Sequence, residues 1–332
     1  MRIIHCAAVA AAICVAPFAA PSYAHAQTSA WPSRTITIVL PLAAGSGMDT
    51  IVRLYADRLS PALGKPVIIE NRLGARQMIA VAAVAKAEPD GHTLVVLTSS
   101  SLAIGPTLFK EMRTNPSKEF VPVSLYVKSP FILVVNPAMP VKTAADFIAH
   151  AKAQKATPLS YTSLGPGSPQ HLSMELIKSQ FGVEMTHVPY TNTPQSVLDI
   201  VSGHVSGGFA EAGASLSLIR DGKLRALAVS SAAELPVLPG IRPFAEAGNA
   251  ANFEAVSWHV LMAHASTPKP VVDRLHEEMK KIMADTVLRQ KIAEMGLLPV
   301  DTPSIEGMRS YIASEQDKWG SLVRKLGLEG SQ

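Results

Sequence analysis

The alternation of strand-like and helix-like patterns along the chain is the feature that most constrains its fold. β-Branched and aliphatic runs at Thr35–Leu40, Val67–Glu70 and Thr93–Thr98 are typical of buried strands. Between the first two runs, apolar residues recur at helical spacing until Gly64. Further strands are predicted at 131–135, 159–162, 186–188 and 224–229. This order predicts an α/β protein with parallel-dominated sheets flanked by helices.

The last third of the chain carries two amphipathic helix patterns. The apolar stripes are Val272, Leu275, Met279 and Ile282 in one helix, and Met308, Tyr311, Ile312, Trp319, Leu322 and Val323 in the other. Trp319 is of a type that often contacts ligands, but its place in a stripe predicts core packing.

A coarse duplication suggests two lobes. A strand, a glycine- and serine-containing loop and a helix occur near residues 35–63 and again near 159–181. Extended segments at Val121–Val135 and Phe253–Ala263 are the predicted crossings between lobes. We therefore expect a discontinuous first lobe (27–126 plus 253–332), a second lobe (127–252) and a cleft between them.

The first 26 residues are typical of an export signal. Arg2 precedes an apolar run from Ala7 to Ala20, and Ala24-His25-Ala26 is a small-x-small cleavage site. The alternative, a membrane anchor, needs a longer apolar run, because a helix requires roughly 20 residues to cross a bilayer. Cleavage after Ala26 would leave 306 residues (332 less 26) in the periplasm, enough for two cores.

Composition argues against several classes of function. The formal charge is only +4 and no lysine or arginine run occurs, so nucleic-acid binding is not expected. Both cysteines, Cys6 and Cys14, lie in the predicted signal, which leaves no disulfide or thiolate for the mature chain. No G-x-S-x-G elbow is present, and His276-Glu277 lacks the second histidine of H-E-x-x-H. We expect no catalytic residue, metal or cofactor.

The first candidate ligand loop follows the strand that ends at Leu40. Its predicted ligand-binding residues are Ala44, Gly45, Ser46 and Gly47. A helix that begins here would direct free backbone N–H groups and a positive dipole end toward an anion. Ser46 and Asp49 also match a helix-capping pattern, and capping and anion binding can share one loop.

A second loop has the same context after the strand at 159–162. Ser168 is suited to an N-cap and Pro169 to the first helical position. The predicted binding residues here are Ser163, Gly165, Gly167, Ser168 and His171. His171 is equally compatible with a structural role. Ser99 and Ser100 follow the strand that ends at Thr98 and offer hydroxyl donors, although a plain turn explains them equally well.

A series of motifs in order along the chain carries a family resemblance. In the first half these are Trp31-Pro32-Ser33-Arg34, Ile38-Val39-Leu40-Pro41, Ala44-Gly45 with Asp49, Gly64-x-Pro66-Val67, Glu70-Asn71-Arg72 and Pro89-Asp90-Gly91-His92-Thr93-Leu94. Later come Val134-Val135-Asn136-Pro137, Gly165 and Gly167 with His171-Leu172, His187-Val188-Pro189-Tyr190, 222–229, Ser257-Trp258 and Thr267-Pro268. The sequence resembles the substrate-binding proteins of tripartite tricarboxylate transporters, also called Bug proteins.

The resemblance implies a two-lobed periplasmic binding protein fold of type II. Its lobes would close on a small organic carboxylate, held by backbone amides of the two glycine loops and delivered by a monomer to membrane permease subunits. Tyr190, Asn192 and Glu211 would form auxiliary walls. The alternatives are a ligand-sensing partner of a membrane receptor and an exported hydrolase.

The chain departs from the family pattern where the ligand would be chosen. Family members commonly read Gly-Ala-Gly-Gly-Asn-Ile-Gly after the Asn-Arg motif, whereas this chain has Arg76-Gln77 within 74–80. Arg76 is therefore a candidate partner for a second ligand carboxylate, and a surface arginine is the alternative. Glu211 favours a different ligand, one with an amino or hydroxyl group.

Overall fold

The structure is a computed structural model that describes residues 31–74, 77–112 and 114–332. Two β-sheets organise this part of the chain. The predicted export signal and Arg76 lie outside these residues. The strands are β1 (Ile36–Leu40), β2 (Val67–Asn71), β3 (Thr93–Thr98), β4 (Phe120–Ser129), β5 (Phe131–Val135), β6 (Leu159–Ser163), β7 (Met185–Pro189), β8 (Gly207–Glu211), β9 (Arg225–Val229), β10 (Ser257–His264) and β11 (Leu298–Pro299). The first sheet has the order β11-β4-β10-β3-β1-β2, and the second has the order β7-β6-β8-β5-β9.

Helices connect the strands and cover the sheets. They are α1 (Gly47–Leu63), α2 (Met78–Ala85), α3 (Gly105–Leu108), α4 (Pro116–Glu119), α5 (Ala144–Ala153), α6 (Pro169–Phe181), α7 (Thr193–Val201), α8 (Ala212–Arg220), α9 (Phe244–Ala247), α10 (Lys269–Met283), α11 (Thr286–Glu294) and α12 (Ile305–Lys325), with a π-helical turn at Ser100–Ile104. This confirms the predicted α/β class. Among the helices of the described residues, none combines the length and apolar character needed to span a bilayer.

The prediction of parallel-dominated sheets needs correction, because both sheets are mixed. β1 pairs in parallel with β2 and β3, and β6 pairs in parallel with β7 and β8. However, β10 lies antiparallel between β3 and β4, and β5 lies antiparallel between β8 and β9. β5 and β10 each follow directly on a segment that passes from one sheet to the other. Each therefore enters its sheet from the end opposite to that at which the neighbouring strands begin.

The chain passes between the sheets near the segments predicted for the crossings. Only Pro130 separates β4 of the first sheet from β5 of the second. The return lies between β9 and β10, and Lys128 is ion-paired with Glu254 at 2.9 Å, which joins the two crossing segments. The lobe boundary predicted after residue 126 falls inside β4, and the division into lobes stays a prediction.

The core of the first sheet is closed by the C-terminal helix α12. Trp258 of β10 and Trp319 of α12 are both buried, and their indole N–H groups donate to the same oxygen of Glu315, at 3.0 and 2.9 Å. Lys318 donates to the other Glu315 oxygen at 3.0 Å. A buried carboxylate with three donors holds α12 in place, and the core position predicted for Trp319 is confirmed.

Candidate functional site

A cavity of about 870 Å³ opens where strands of both sheets end. Its walls come mainly from the segments that follow β1, β3, β6 and β8, with further contributions from the start of α2, from the crossing segments at β4–β5 and β10, and from the end of α11. The larger apolar lining residues are Leu42, Met48, Ile104, Leu108, Phe109, Phe131, Leu164, Leu216, Met295 and Leu297. A largely apolar cavity with a few polar groups is the usual form of a small-molecule site.

The first glycine loop is held by an ionised aspartate. Ser46 caps α1 by accepting from the Asp49 amide at 3.2 Å, and the Asp49 carboxylate accepts from the Gly45 amide at 3.0 Å. Hydrogen bonds from Arg53 lower the pKa of Asp49 to about 2, with Asn71 and Gly45 contributing and burial opposing. The Asp49 charge is thus neutralised inside the loop, and the Gly45 amide is already used.

The amides that remain for a ligand lie at the start of α1. Gly47 and Met48 are its first residues and line the cavity. Neither amide makes a hydrogen bond within the described part of the chain, as expected for the first turn of a helix. Two unpaired N–H groups and the positive helix end therefore lie at the cavity wall.

The second glycine loop is held by histidines. Ser168 caps α6 by accepting from the His171 amide, and the Gly167 amide donates to His171 Nδ1 at 3.2 Å. Gly165 donates its amide to Ser163 Oγ, which lies 2.6 Å from His187 Nε2. Burial, with the neighbouring His187, lowers the pKa of His171 to about 4. His171 is therefore neutral at physiological pH and can accept the Gly167 hydrogen bond.

The structure brings six of the predicted binding residues to the cavity. These are Ser46, Gly47, Ser100, Gly167, Ser168 and Glu211. Eight others are not part of its lining, namely Ala44, Gly45, Ser99, Ser163, Gly165, His171, Tyr190 and Asn192. Arg76 lies outside the described residues, so its role stays a prediction.

Several of the residues away from the lining have local structural roles. The Tyr190 hydroxyl donates to Asp199 at 2.6 Å, and the Asn192 side chain caps α7. Ser99 is buried with its Oγ 3.1 Å from that of Ser257. These contacts fix the segments around the cavity without reaching into it.

Further polar residues, outside the set predicted from the sequence, complete the cavity. They are Gln77, Thr98, Ser129, Gln170, Ser217, Arg220, Ser257, His259 and Glu294. Ser129 and Ser257 pair across β4 and β10 at the crossing segments. His259 is buried, its Nδ1 has no hydrogen-bond partner among the described residues, and burial lowers its pKa to about 4. The only sequence signal for Ser257 was its membership of a motif shared with the family.

Glu211 differs from the other acidic residues near helix starts. It occupies the N-cap position of α8, but its side chain makes no capping hydrogen bond. Its carboxylate receives one long contact, from Gln170 Nε2 at 3.5 Å. Many protein atoms lie around the Glu211 carboxyl, and the resulting desolvation raises its pKa. The residue is nevertheless exposed to solvent where it lines the cavity.

No metal site accompanies this cavity in the described ranges, where no group of three or more His, Cys, Asp or Glu side chains is placed to hold an ion.

Two α/β halves that share a largely apolar cavity at their strand ends define a solute-binding protein. Residues 51–328 match the family described as Tripartite tricarboxylate transporter family receptor, TctC, and the chain belongs to it. This is a family of substrate-binding receptors, not of enzymes.

Similar proteins cover nearly the whole chain. Protein BugT of Bordetella pertussis is 31% identical over 317 residues, with 95% of each chain covered. The solved structure of R. palustris Rpa4515 with adipate is 32% identical, with a TM-score of 0.77 and coverage of 90% of this chain and 98% of that one. MatC from Rhodopseudomonas palustris with bound malate is 28% identical, with a TM-score of 0.72 and coverage of 88% and 100%.

Proposed function

We propose that the protein captures a small organic carboxylate in the 870 Å³ cavity and presents it to the permease subunits of a tripartite tricarboxylate transporter. The observation that carries the proposal is the convergence of two capped helix starts, those of α1 and α6, on one cavity. The start of α1 offers the amides of Gly47 and Met48, and the start of α6 offers that of Gln170, because Pro169 has no N–H. Both starts carry the positive end of a helix dipole. Structures of similar proteins with adipate and with malate support a carboxylate as the ligand class.

The loops are suited to hold an anion with backbone donors in place of a positively charged side chain. The amides of Gly47 and Met48 are unpaired within the described residues, while Asp49 is neutralised by Arg53. Hydrogen bonds to an ionised acceptor are stronger than neutral ones. We therefore assign the ligand carboxylate to the space between Ser46–Met48 and Gly167–Gln170, with Ser100 as a further donor.

The location and the partner follow from the same proposal. A signal cleaved after Ala26 would release the chain into the periplasm, where a monomer with closed lobes would dock on the permease. A sensory receptor would recognise the same closed form. Deletion of the gene separates the two roles, because loss of ligand uptake with intact ligand-induced transcription supports transport.

Mass spectrometry of gently purified protein tests the ligand class directly. We expect a retained small carboxylate, released on unfolding, and recovery of the same compound unchanged after long incubation. A panel of mono-, di- and tricarboxylates should then raise the melting temperature with increasing concentration. The proposal fails if no carboxylate is retained and none in the panel shifts the melting temperature.

A further inference from the structure

We infer that the ligand carries an ammonium group in addition to its carboxylate, and that Glu211 is the residue that binds this ammonium. The inference rests on the proposed function and specifies the ligand further. A hydroxyl group would be a weaker substitute, and a second carboxylate would be disfavoured.

The first argument is that Glu211 has no evident structural role. An acidic residue at an N-cap normally accepts a hydrogen bond from the first turn of its helix. Here the side chain makes no such bond, and it has no cationic partner within ion-pair distance among the described residues. Its one hydrogen bond, to Gln170, is at the 3.5 Å limit.

The second argument is electrostatic. The side chain is open to cavity water but otherwise surrounded by protein, and β5 places Phe131 directly beside it in the sheet. A ligand that displaces this water would leave the carboxylate with only the long Gln170 hydrogen bond unless the ligand supplies donors. An ammonium group supplies donors and an opposite charge, whereas a second carboxylate would be repelled.

The third argument is the charge of the cavity as a whole. The described lining contains two acidic residues, Glu211 and Glu294, and one basic residue, Arg220, so acidic side chains outnumber basic ones. Arg220 is the last residue of α8, so its Cα lies about 13 Å along the helix from that of Glu211, and no ion pair joins the two side chains among the described residues. Arg220 therefore does not neutralise Glu211, and a zwitterion fits this lining better than a dianion.

Titration calorimetry with acids of equal chain length tests the inference. The probes are 6-aminohexanoate, 6-hydroxyhexanoate, hexanoate and adipate, and the comparison is repeated with the four- and five-carbon series. We expect the wild-type protein to bind the amino acid at least about tenfold more tightly than the unsubstituted acid at the best length. The hydroxy acid should lie between them, and the dicarboxylate should bind more weakly than the amino acid.

Glu211→Gln keeps the shape of the side chain and removes its charge. We expect it to abolish the preference for the amino acid and to improve binding of the dicarboxylate. Glu184→Gln is the matched control, because Glu184 is exposed and outside the cavity, and it should keep the wild-type order. Melting curves without ligand check that both variants fold.

Wild-type preference for adipate over 6-aminohexanoate at every length would overturn the inference. If Arg76→Ala then removed that preference, Arg76 would be the selector. An amino-acid preference that survives in Glu211→Gln would also reject the role of Glu211. In each of these cases a carboxylate still binds, whereas failure of every probe together with no retained carboxylate is the result that rejects the proposed function itself.

Discussion

At the scale of single residues, the two glycine loops contain groups that hold the loop and groups left for a ligand. Asp49 and His171 accept the amides of Gly45 and Gly167, so these glycines are needed for their backbone shape and not as free donors. Gly45 and Gly167 have φ angles of +78° and +75°, which non-glycine residues rarely adopt.

Gly167→Ala should weaken ligand binding more than Gly165→Ala. Both glycines have positive φ, so both replacements cost roughly 1–2 kcal/mol of stability. A Cβ at Gly167 would also lie 2.5 Å from Leu108 Cδ2 on the other wall of the cavity, whereas one at Gly165 meets nothing within 4 Å. Calorimetry on both variants measures the difference, and Leu108→Ala in the Gly167→Ala background should recover part of it. Equal affinities for the two alanine variants would contradict this reading of the contact.

Stability should fall as the pH decreases from about 6.5 to about 4. Burial lowers the pKa of His171 and of His259 to about 4 in the folded state, while both return to about 6.5 in the unfolded state. The unfolded chain then binds more protons in this window, so folding is fully favoured above pH 6.5 and loses on the order of 3 kcal/mol per histidine by pH 4. Urea unfolding at several pH values measures the loss.

His171→Asn and His259→Asn should each reduce the slope of stability against pH in that window. His187 adds to the slope in the same direction, since burial lowers its pKa too. Asp49 has a pKa of about 2 in the folded protein, so its contribution to stability is lost mainly below pH 4. A slope unchanged in both variants would show that other groups control the acid response.

At the scale of elements, the helix starts link stability with binding. Ser46 and Ser168 each accept a hydrogen bond from the third residue of their helix, which fixes the first turn and the amides around it. Ser304 does the same for α12, far from the cavity lining.

Ser46→Ala and Ser168→Ala should each cost about 1 kcal/mol of stability and also weaken ligand binding. Ser304→Ala is the control, and it should cost a similar amount of stability while the affinity stays at the wild-type value. Denaturant unfolding and calorimetry on the same preparations provide both numbers. If all three variants bind alike, the first turns of α1 and α6 do not hold the ligand.

At the scale of the whole molecule, residues from opposite walls of the cavity approach each other closely. Leu108 lies against Gly167, and Gly296, after α11, lies against Ala212 of α8. The chain between the sheets is short at Pro130 and is braced by the Lys128–Glu254 ion pair. Such a pair of crossing segments is suited to hinge motion.

Ligand should therefore compact the protein. Small-angle scattering should give a smaller radius of gyration at saturating ligand than without it. Ligand at a hundred times its Kd should also add about 2.7 kcal/mol to the free energy of unfolding. Gly296→Ala should lessen the compaction, because its Cβ would collide with Ala212. Equal radii with and without ligand would reject closure about these segments.

The sequence by itself determined the features that depend on neighbouring residues. Strand and helix patterns predicted β3 and β5 with their observed bounds, and the Ser46-to-Asp49 and Ser168-Pro169 signals predicted the starts of α1 and α6. These features follow from side-chain periodicity and from hydrogen bonds between residues three apart, so a short stretch of sequence contains the whole cause.

The tertiary structure decided which of these residues share a cavity. β10 pairs between β3 and β4 from the far end of the chain, and this brings Ser257 and His259 to the site. Tyr190 and Asn192 satisfy their hydrogen bonds within their own segment, whereas Glu211 leaves its helix uncapped and lines the cavity. Strand pairing over long separations and competition among hydrogen-bond partners depend on the packed fold, and a local pattern does not encode their outcome.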